Sequence, residues 1–206
     1  MLYADIVDMA LSFADRSDNT EVTSRVDNML KLVESKMNRV LAAQKMSTIV
    51  SIPCVAGQDI YSLPTDYLML KDIYNIDATL LTGKAEYSYT SPEQIANASV
   101  NKATGNYYTL VNNALQIWPI LDATKNLVLT YFGRITPLTS LNSSNWMSTI
   151  YPDCYIFGLL MEINAFVKDA EAMAAWKARF EEALGDIDFQ DSKSTWSGPA
   201  LTTKQG

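Results

Sequence analysis

The chain's capacity for chemistry rests on its carboxylates, two cysteines and one Gly-Lys dipeptide, because its 206 residues include no histidine. That composition excludes a Ser-His-Asp triad, a Cys-His pair and every His-ligated metal site. Cys54 and Cys154 cannot build a thiolate zinc site alone. A disulfide between them is possible, and a reduced pair is the default for two cysteines so far apart. Gly83-Lys84 invites comparison with a phosphate loop, but that motif needs a glycine five positions before Gly83 and Ser or Thr after the lysine. The sequence has Ala78 and Ala85 there. Two carboxylates about 5–10 Å apart would serve a glycosidase. With fourteen acids outside the segment Asp153 to Asp191, some pair falls in that range by chance and no spacing singles one out. Glu162 is more distinctive, because apolar residues surround it. Arg134 or a neighbouring subunit could supply its partner, as a buried structural pair, a subunit contact or, least favoured, a catalytic acid. No catalytic residue, metal or cofactor is expected, and the chain is not read as an enzyme.

Charge carries more information. The chain has 16 Lys and Arg against 23 Asp and Glu, a net charge of −7. Asp153 to Asp191 holds nine acids against Lys168, Lys177 and Arg179, so −6 of the total lies there. A sequence-specific DNA binder shows the opposite sign in a clustered patch. Two readings stay open: a solvated helix face, or a surface past which nucleic acid slides without sticking. No secretory leader is expected, since Arg16 is the first basic residue and Asp5 and Asp8 interrupt the apolar positions. The sequons at Asn97 and Asn142 therefore carry no weight. The longest uncharged apolar run, Cys154 to Met161, is far shorter than the roughly 20 residues of a membrane span.

The elements that must present these surfaces follow from periodicity. Ile6, Val7, Ala10, Leu11 and Phe13 predict a helix over Tyr3 to Phe13. Asn19 or Thr20 can cap a second helix reaching about Ala43. Its stripe is Val22, Val26, Met29, Leu30, Val33, Met37, Val40 and Leu41. From Ser47 the period shortens. Strands are expected at 47–52, 60–63, 69–76, 77–81, 107–111, 114–118 and 127–132, with Asn112-Asn113 as a hairpin turn. A short helix opens at Ser91-Pro92. After a connecting loop over 136–148, Pro152 starts a helix apolar on nearly all faces. Asp169 caps a last helix that Gly185 should stop. The fold class is α+β: a bundle of about four helices, from 1–46 and 149–189, with a β-rich insertion at 47–135. Residues 190–206 read as a flexible tail, with Trp196 its one large anchor.

Several segments, in this order, resemble the head-to-tail adaptor (connector) proteins of tailed bacteriophages, especially short-tailed ones. They are a helix pair ending at Val40-Leu41-Ala42, then Tyr61-Ser62-Leu63-Pro64-Thr65-Asp66-Tyr67-Leu68 and Leu115-Gln116-Ile117-Trp118-Pro119. Next comes Tyr131-Phe132-Gly133-Arg134-Ile135-Thr136-Pro137-Leu138. Last are Asn145-Trp146, Tyr151-Pro152-Asp153-Cys154-Tyr155-Ile156-Phe157-Gly158 and a final helix bearing Trp176. The resemblance spans about residues 20 to 190, and its last third is the most specific. It implies a virion protein of the neck, made in the host cytoplasm. Such a subunit joins a twelve-fold ring docked beneath the portal protein, extends the DNA channel and offers a platform to tail or nozzle proteins. Double-stranded DNA would pass through without specific binding, and no membrane is involved. Candidate subunit or portal contacts are Lys31, Lys36, Arg39, Arg134, Asn145, Trp146, Glu162 and Trp196. Candidate channel-wall residues are Glu181, Glu182, Asp186 and Asp188. A tail-associated hydrolase, or a neck or tail-completion protein at another level of the same assembly, are the alternatives.

Overall fold

Helix signals at both ends and strand signals between them give, in the computed structural model, seven helices and two four-stranded sheets among the described residues. Those residues are 1–77, 83–101 and 104–196, with side chains described to Asp191. The chain divides into two compact units, one from residues 1–45 with 135–206 and one from residues 46–134.

In the helical unit, α1 (Tyr3–Phe13) buries Ile6, Ala10 and Leu11, as its spacing predicts. The second helix differs from expectation by breaking in two, α2 (Thr20–Thr23) and α3 (Val26–Val40). Asn19 does cap the start, accepting from the Glu21 and Val22 amides. Thr23 Oγ1 then donates to the Thr20 carbonyl and Ser24 Oγ to that of Glu21, a side-chain competition that favours helix ends. Val40, placed on the stripe by spacing, is exposed instead, while Met37 and Leu41 complete the buried face. A 3-10 turn, Gln44–Met46, ends the segment.

Asn145 opens α5 (Trp146–Ile150), which begins inside the stretch expected to be loop. Pro152 begins α6 (Pro152–Phe166), whose missing N–H costs nothing at a first turn. Cys154, Tyr155, Leu159 and Leu160 on α6 are fully buried, and α1, α3, α5 and α7 pack against it. Asp169 caps α7 (Ala170–Trp196) by accepting from the Ala172 amide. Gly185 does not stop this helix. A helical glycine costs about 1 kcal/mol relative to alanine, and burial of Ile187 one half-turn later outweighs it. Residues 190–196, expected in the tail, therefore lie in α7, and 197–206 fall outside the described residues.

Gly158 lets α3 approach α6. A Cβ there would lie 2.5 Å from Val33 Cγ1 and 3.2 Å from a Phe180 ring carbon, inside van der Waals contact. Gly158→Ala should raise helix propensity and still destabilise by about 1–3 kcal/mol, because overpacking forces the helices apart. Equilibrium urea unfolding checks this; a midpoint at or above that of the parent would show that the contact yields.

The second unit holds β1 (Ser47–Pro53), β2 (Ile60–Ser62), β3 (Tyr67–Asp77), β4 (Ala85–Glu86), β5 (Ser88–Tyr89), α4 (Pro92–Asn101), β6 (Tyr107–Val111), β7 (Ala114–Trp118) and β8 (Lys125–Gly133). The short β4 and β5 had no sequence signal. The strand expected at 77–81 lies outside the described residues beyond Asp77. One sheet runs β1-β8-β3-β4 and the other β2-β7-β6-β5. β6 and β7 form the expected hairpin, with φ of 49° at Asn112 and 60° at Asn113, the left-handed pair a two-residue turn of this hand requires. Leu127, Leu129 and Tyr131 of the first sheet share a core with Tyr61, Leu115 and Ile117 of the second. The Asp66 carboxylate accepts from Tyr131 Oη, and the Asp66 carbonyl from the Arg134 amide. Gly133 has no Cβ to collide with that carboxylate, which would stand 2.8 Å away.

Candidate assembly surfaces

Glu162 has the partner its surroundings demand. It is Lys36, whose Nζ lies 2.8 Å from Glu162 Oε1, and not Arg134. The pair joins α3 to α6, with the carboxylate largely covered and the ammonium half-exposed. Lys36 is thereby committed within the subunit, whereas Lys31 and Arg39 extend from the exposed face of α3. Arg39 donates to Ser35 Oγ on its own helix. Arg134 belongs to the strand-built unit, with an exposed side chain.

Asn145 is more structural than an interface residue needs to be. Its Oδ1 accepts from the Ser148 amide at 2.7 Å, while Nδ2 donates to the Thr136 carbonyl and to Tyr155 Oη. Tyr155 Oη in turn donates to Glu34 Oε1 at 2.9 Å, and the Leu138 amide donates to the same oxygen at 2.7 Å. Asn38 completes the set by accepting from the Ile135 amide. α3 therefore holds the segment leading to α5 through side-chain acceptors. Glu34, 6% exposed, went unnoticed in the sequence, where an acid on α3 looks like any solvated one. Burial raises its pKa above the usual carboxylate value, against the lowering effect of the Leu138 amide and Tyr155 hydroxyl. The Tyr155 hydroxyl is also held protonated well above the ordinary range, by burial first and the adjoining Glu34 second.

Trp146 packs edge-on against Tyr151 with ring centroids 6.4 Å apart. The two line a cleft of about 450 Å³ together with Ala43, Lys45 and Ile187. Two hydrogen bonds fix its rim: the Gln44 amide to Asp191 Oδ1 at 3.0 Å, and Tyr151 Oη to Gln190 Oε1 at 3.2 Å. Trp196 is the last residue of α7. Glu181, Glu182, Asp186 and Asp188 are all exposed on α7, though not on one face. Glu181 meets Lys177 at 3.7 Å, one turn earlier. Asp186 and Glu182 border a shallow cleft with Asp153 and Arg179. Burial and the neighbouring Asp191 raise the pKa of Asp188. Cys54 and Cys154 are free and buried, and burial first, Asp153 second, pushes the Cys154 thiol up to about 12, far from a reactive thiolate.

Among the described residues, no three His, Cys, Asp or Glu gather where they could hold a metal ion. Nor is any helix there long and apolar enough to cross a membrane. A helical unit interrupted by a strand-built insertion carries these braced surfaces and charged helix faces. A family model described as SU10 adaptor protein matches residues 1–203. The chain belongs to that family, the head-to-tail adaptors of phages, which are structural virion proteins. No curated protein matches the chain.

Proposed function

We propose that this adaptor is one subunit of a twelve-fold ring in the phage neck, docked beneath the portal. The ring extends the DNA channel and presents a platform to tail or nozzle proteins. Family membership across residues 1–203 carries the reading. The physical features of the chain support it. A ring needs two different contact surfaces on one subunit, and the exposed Lys31 and Arg39 of α3 and the exposed acids of α7 are candidates for such surfaces. Lys31, Arg39, Arg134, Trp146 and Trp196 remain candidate contacts to neighbours or portal. Lys36, Glu162 and Asn145 act by holding the subunit in shape, since their polar atoms are engaged within it.

DNA passage fits the charge. Each phosphate contact adds salt-dependent affinity, so a wall with about six to ten of them would hold the genome at low salt. A net charge of −7, with the acids of α7 as candidate wall, works against capture. Electron microscopy of the particle neck should show twelve copies in a closed ring below the portal. One copy per particle, or none, would overturn the proposal. Cell-wall cleavage by the purified chain would instead favour a tail-associated hydrolase.

A further inference from the structure

We infer that β1 of one subunit accepts the C-terminal segment Ser197 to Gly206 of the next copy of this chain as an added antiparallel strand. The inference rests on the ring reading and names a contact within it. β1 stands at the end of its sheet, and among the described strands it pairs with β8 alone. The Cys54 amide, directly after β1, donates to the Lys125 carbonyl at 3.0 Å. Bonded and non-bonded pairs alternate along an antiparallel ladder, so Val50 and Ile52 bond to β8. Ile49 and Ser51 therefore turn their N–H and C=O groups toward the open edge.

Natural sheets blunt an open edge with charge, proline, a bulge or brevity. The other three edges here are short, since β4 and β5 have two residues each and β2 has three. β1 has seven and lacks the other devices. Met46 to Gln58 contains no charged residue, the pairing of β1 with β8 has no register shift, and Pro53 comes at the last position. Thr48, Ile49 and Ser51 are exposed, Ile49 by 69%. Such an edge fits an extended, uncharged stretch of backbone.

The chain supplies one. α7 ends at Trp196, and ten residues follow it outside the described part. Ala200 to Gln205 holds no acid and no proline, and its paired threonines suit a strand. Extended, those six residues cover about 20 Å, close to the roughly 24 Å of β1. The last fifteen residues carry Lys193 and Lys204 and no acid, so a copy of net charge −7 attracts them. One register satisfies the side chains: Ala200 opposite Ser51, Thr202 opposite Ile49 and Lys204 opposite Ser47. Leu201 then sits beside Val50, which packs on the core between the sheets, and Thr203 beside Thr48, while Lys204 stays in solvent. Pro199 falls opposite Ile52, where the added strand needs no donor. A chain terminus and a sheet edge are different surfaces of one subunit, so the contact is heterologous and repeats until it closes. A single added strand is a small interface, and isolated subunits should associate weakly.

Engineered cysteines test it in the full chain, since Cys54 and Cys154 are buried and should not cross-link. Bonded antiparallel neighbours have Cα atoms about 5.5 Å apart, within disulfide reach. The double variant S51C/A200C, oxidised at high protein concentration, should give a ladder of covalent dimers, trimers and larger species on a non-reducing gel. In that background Thr202→Pro should cut the ladder about tenfold, because it removes the donor that faces Ile49. Thr203→Pro should leave most of it, because that N–H points away from β1. Both prolines fall beyond α7, so each variant should melt as the double variant does. A cross-linked product that stays monomeric, a ladder that stops at dimer, or equal loss from the two prolines would overturn the inference. Twelve wild-type copies in the neck with no ladder would overturn it and leave the ring standing. A single copy in the neck would overturn both.

Discussion

Replacing Leu160 with Asp is expected to unfold the helical unit at room temperature, with loss of most helical circular dichroism. Leu160 is fully buried on α6, the helix on which α1, α3, α5 and α7 converge. Truncating a buried leucine costs about 2–5 kcal/mol from lost burial and the cavity left behind. The aspartate adds the desolvation of a buried charge, or the cost of taking up a proton to avoid one. The sum rivals the whole stability of an ordinary domain, about 5–15 kcal/mol. A Leu160→Asp protein with the parent's melting temperature would show that α6 is not the centre of the unit.

Glu34 should give the second large effect. Glu34→Ala removes the acceptor of the buried Leu138 amide and of the Tyr155 hydroxyl, a loss of about 2–4 kcal/mol. Glu34→Gln keeps a carbonyl oxygen for both donors and no longer buries an ionisable group. The pH dependence separates the two roles. Since burial raises the pKa of Glu34 above its unfolded value, the folded state binds the proton more tightly. Folding stability from this group is therefore greatest at acid pH and falls as pH climbs from the unfolded pKa, about 4.5, through the raised folded one. Above that window the penalty is complete. Urea unfolding between pH 4 and 8 should show this slope in the parent and a flatter profile in Glu34→Gln, with the glutamine variant at least as stable near neutral pH. Identical profiles would mean that Glu34 titrates as a solvated carboxylate. A Glu34→Ala protein as stable as the parent would mean that water replaces both bonds.

What the amino-acid order determined by itself was whatever depends on near neighbours in the chain. α1 spans Tyr3–Phe13 because its apolar spacing allows one buried face. The β6–β7 hairpin forms at Asn112-Asn113 because asparagine tolerates positive φ. Pro152, Asn19 and Asp169 start helices because each serves helix-end groups a few residues away. The absence of histidine, and with it much of catalysis, was likewise legible from composition. Order along the whole chain was enough to carry the likeness to phage adaptors.

Tertiary structure decided what depends on distant partners. Glu162 meets Lys36 across 126 positions, and Glu34 meets Tyr155 across 121 and Leu138 across 104. Sequence spacing gave no means of preferring Lys36 to Arg134. Gly185 carries a stop signal by propensity, yet the helix continues because the apolar layer at Leu184 and Ile187 is buried against the rest of the unit. Ser24 and Arg25 break the second helix although the stripe of Val22, Val26 and Met29 runs on without interruption. The same stripe allows either outcome, and side-chain bonds to backbone carbonyls select the break. Propensities differ by tenths of a kcal/mol to about 1, whereas burial of one large side chain contributes about 1.5–3 kcal/mol. Packing therefore overrules local preference wherever the two conflict, and that contest is settled only in three dimensions.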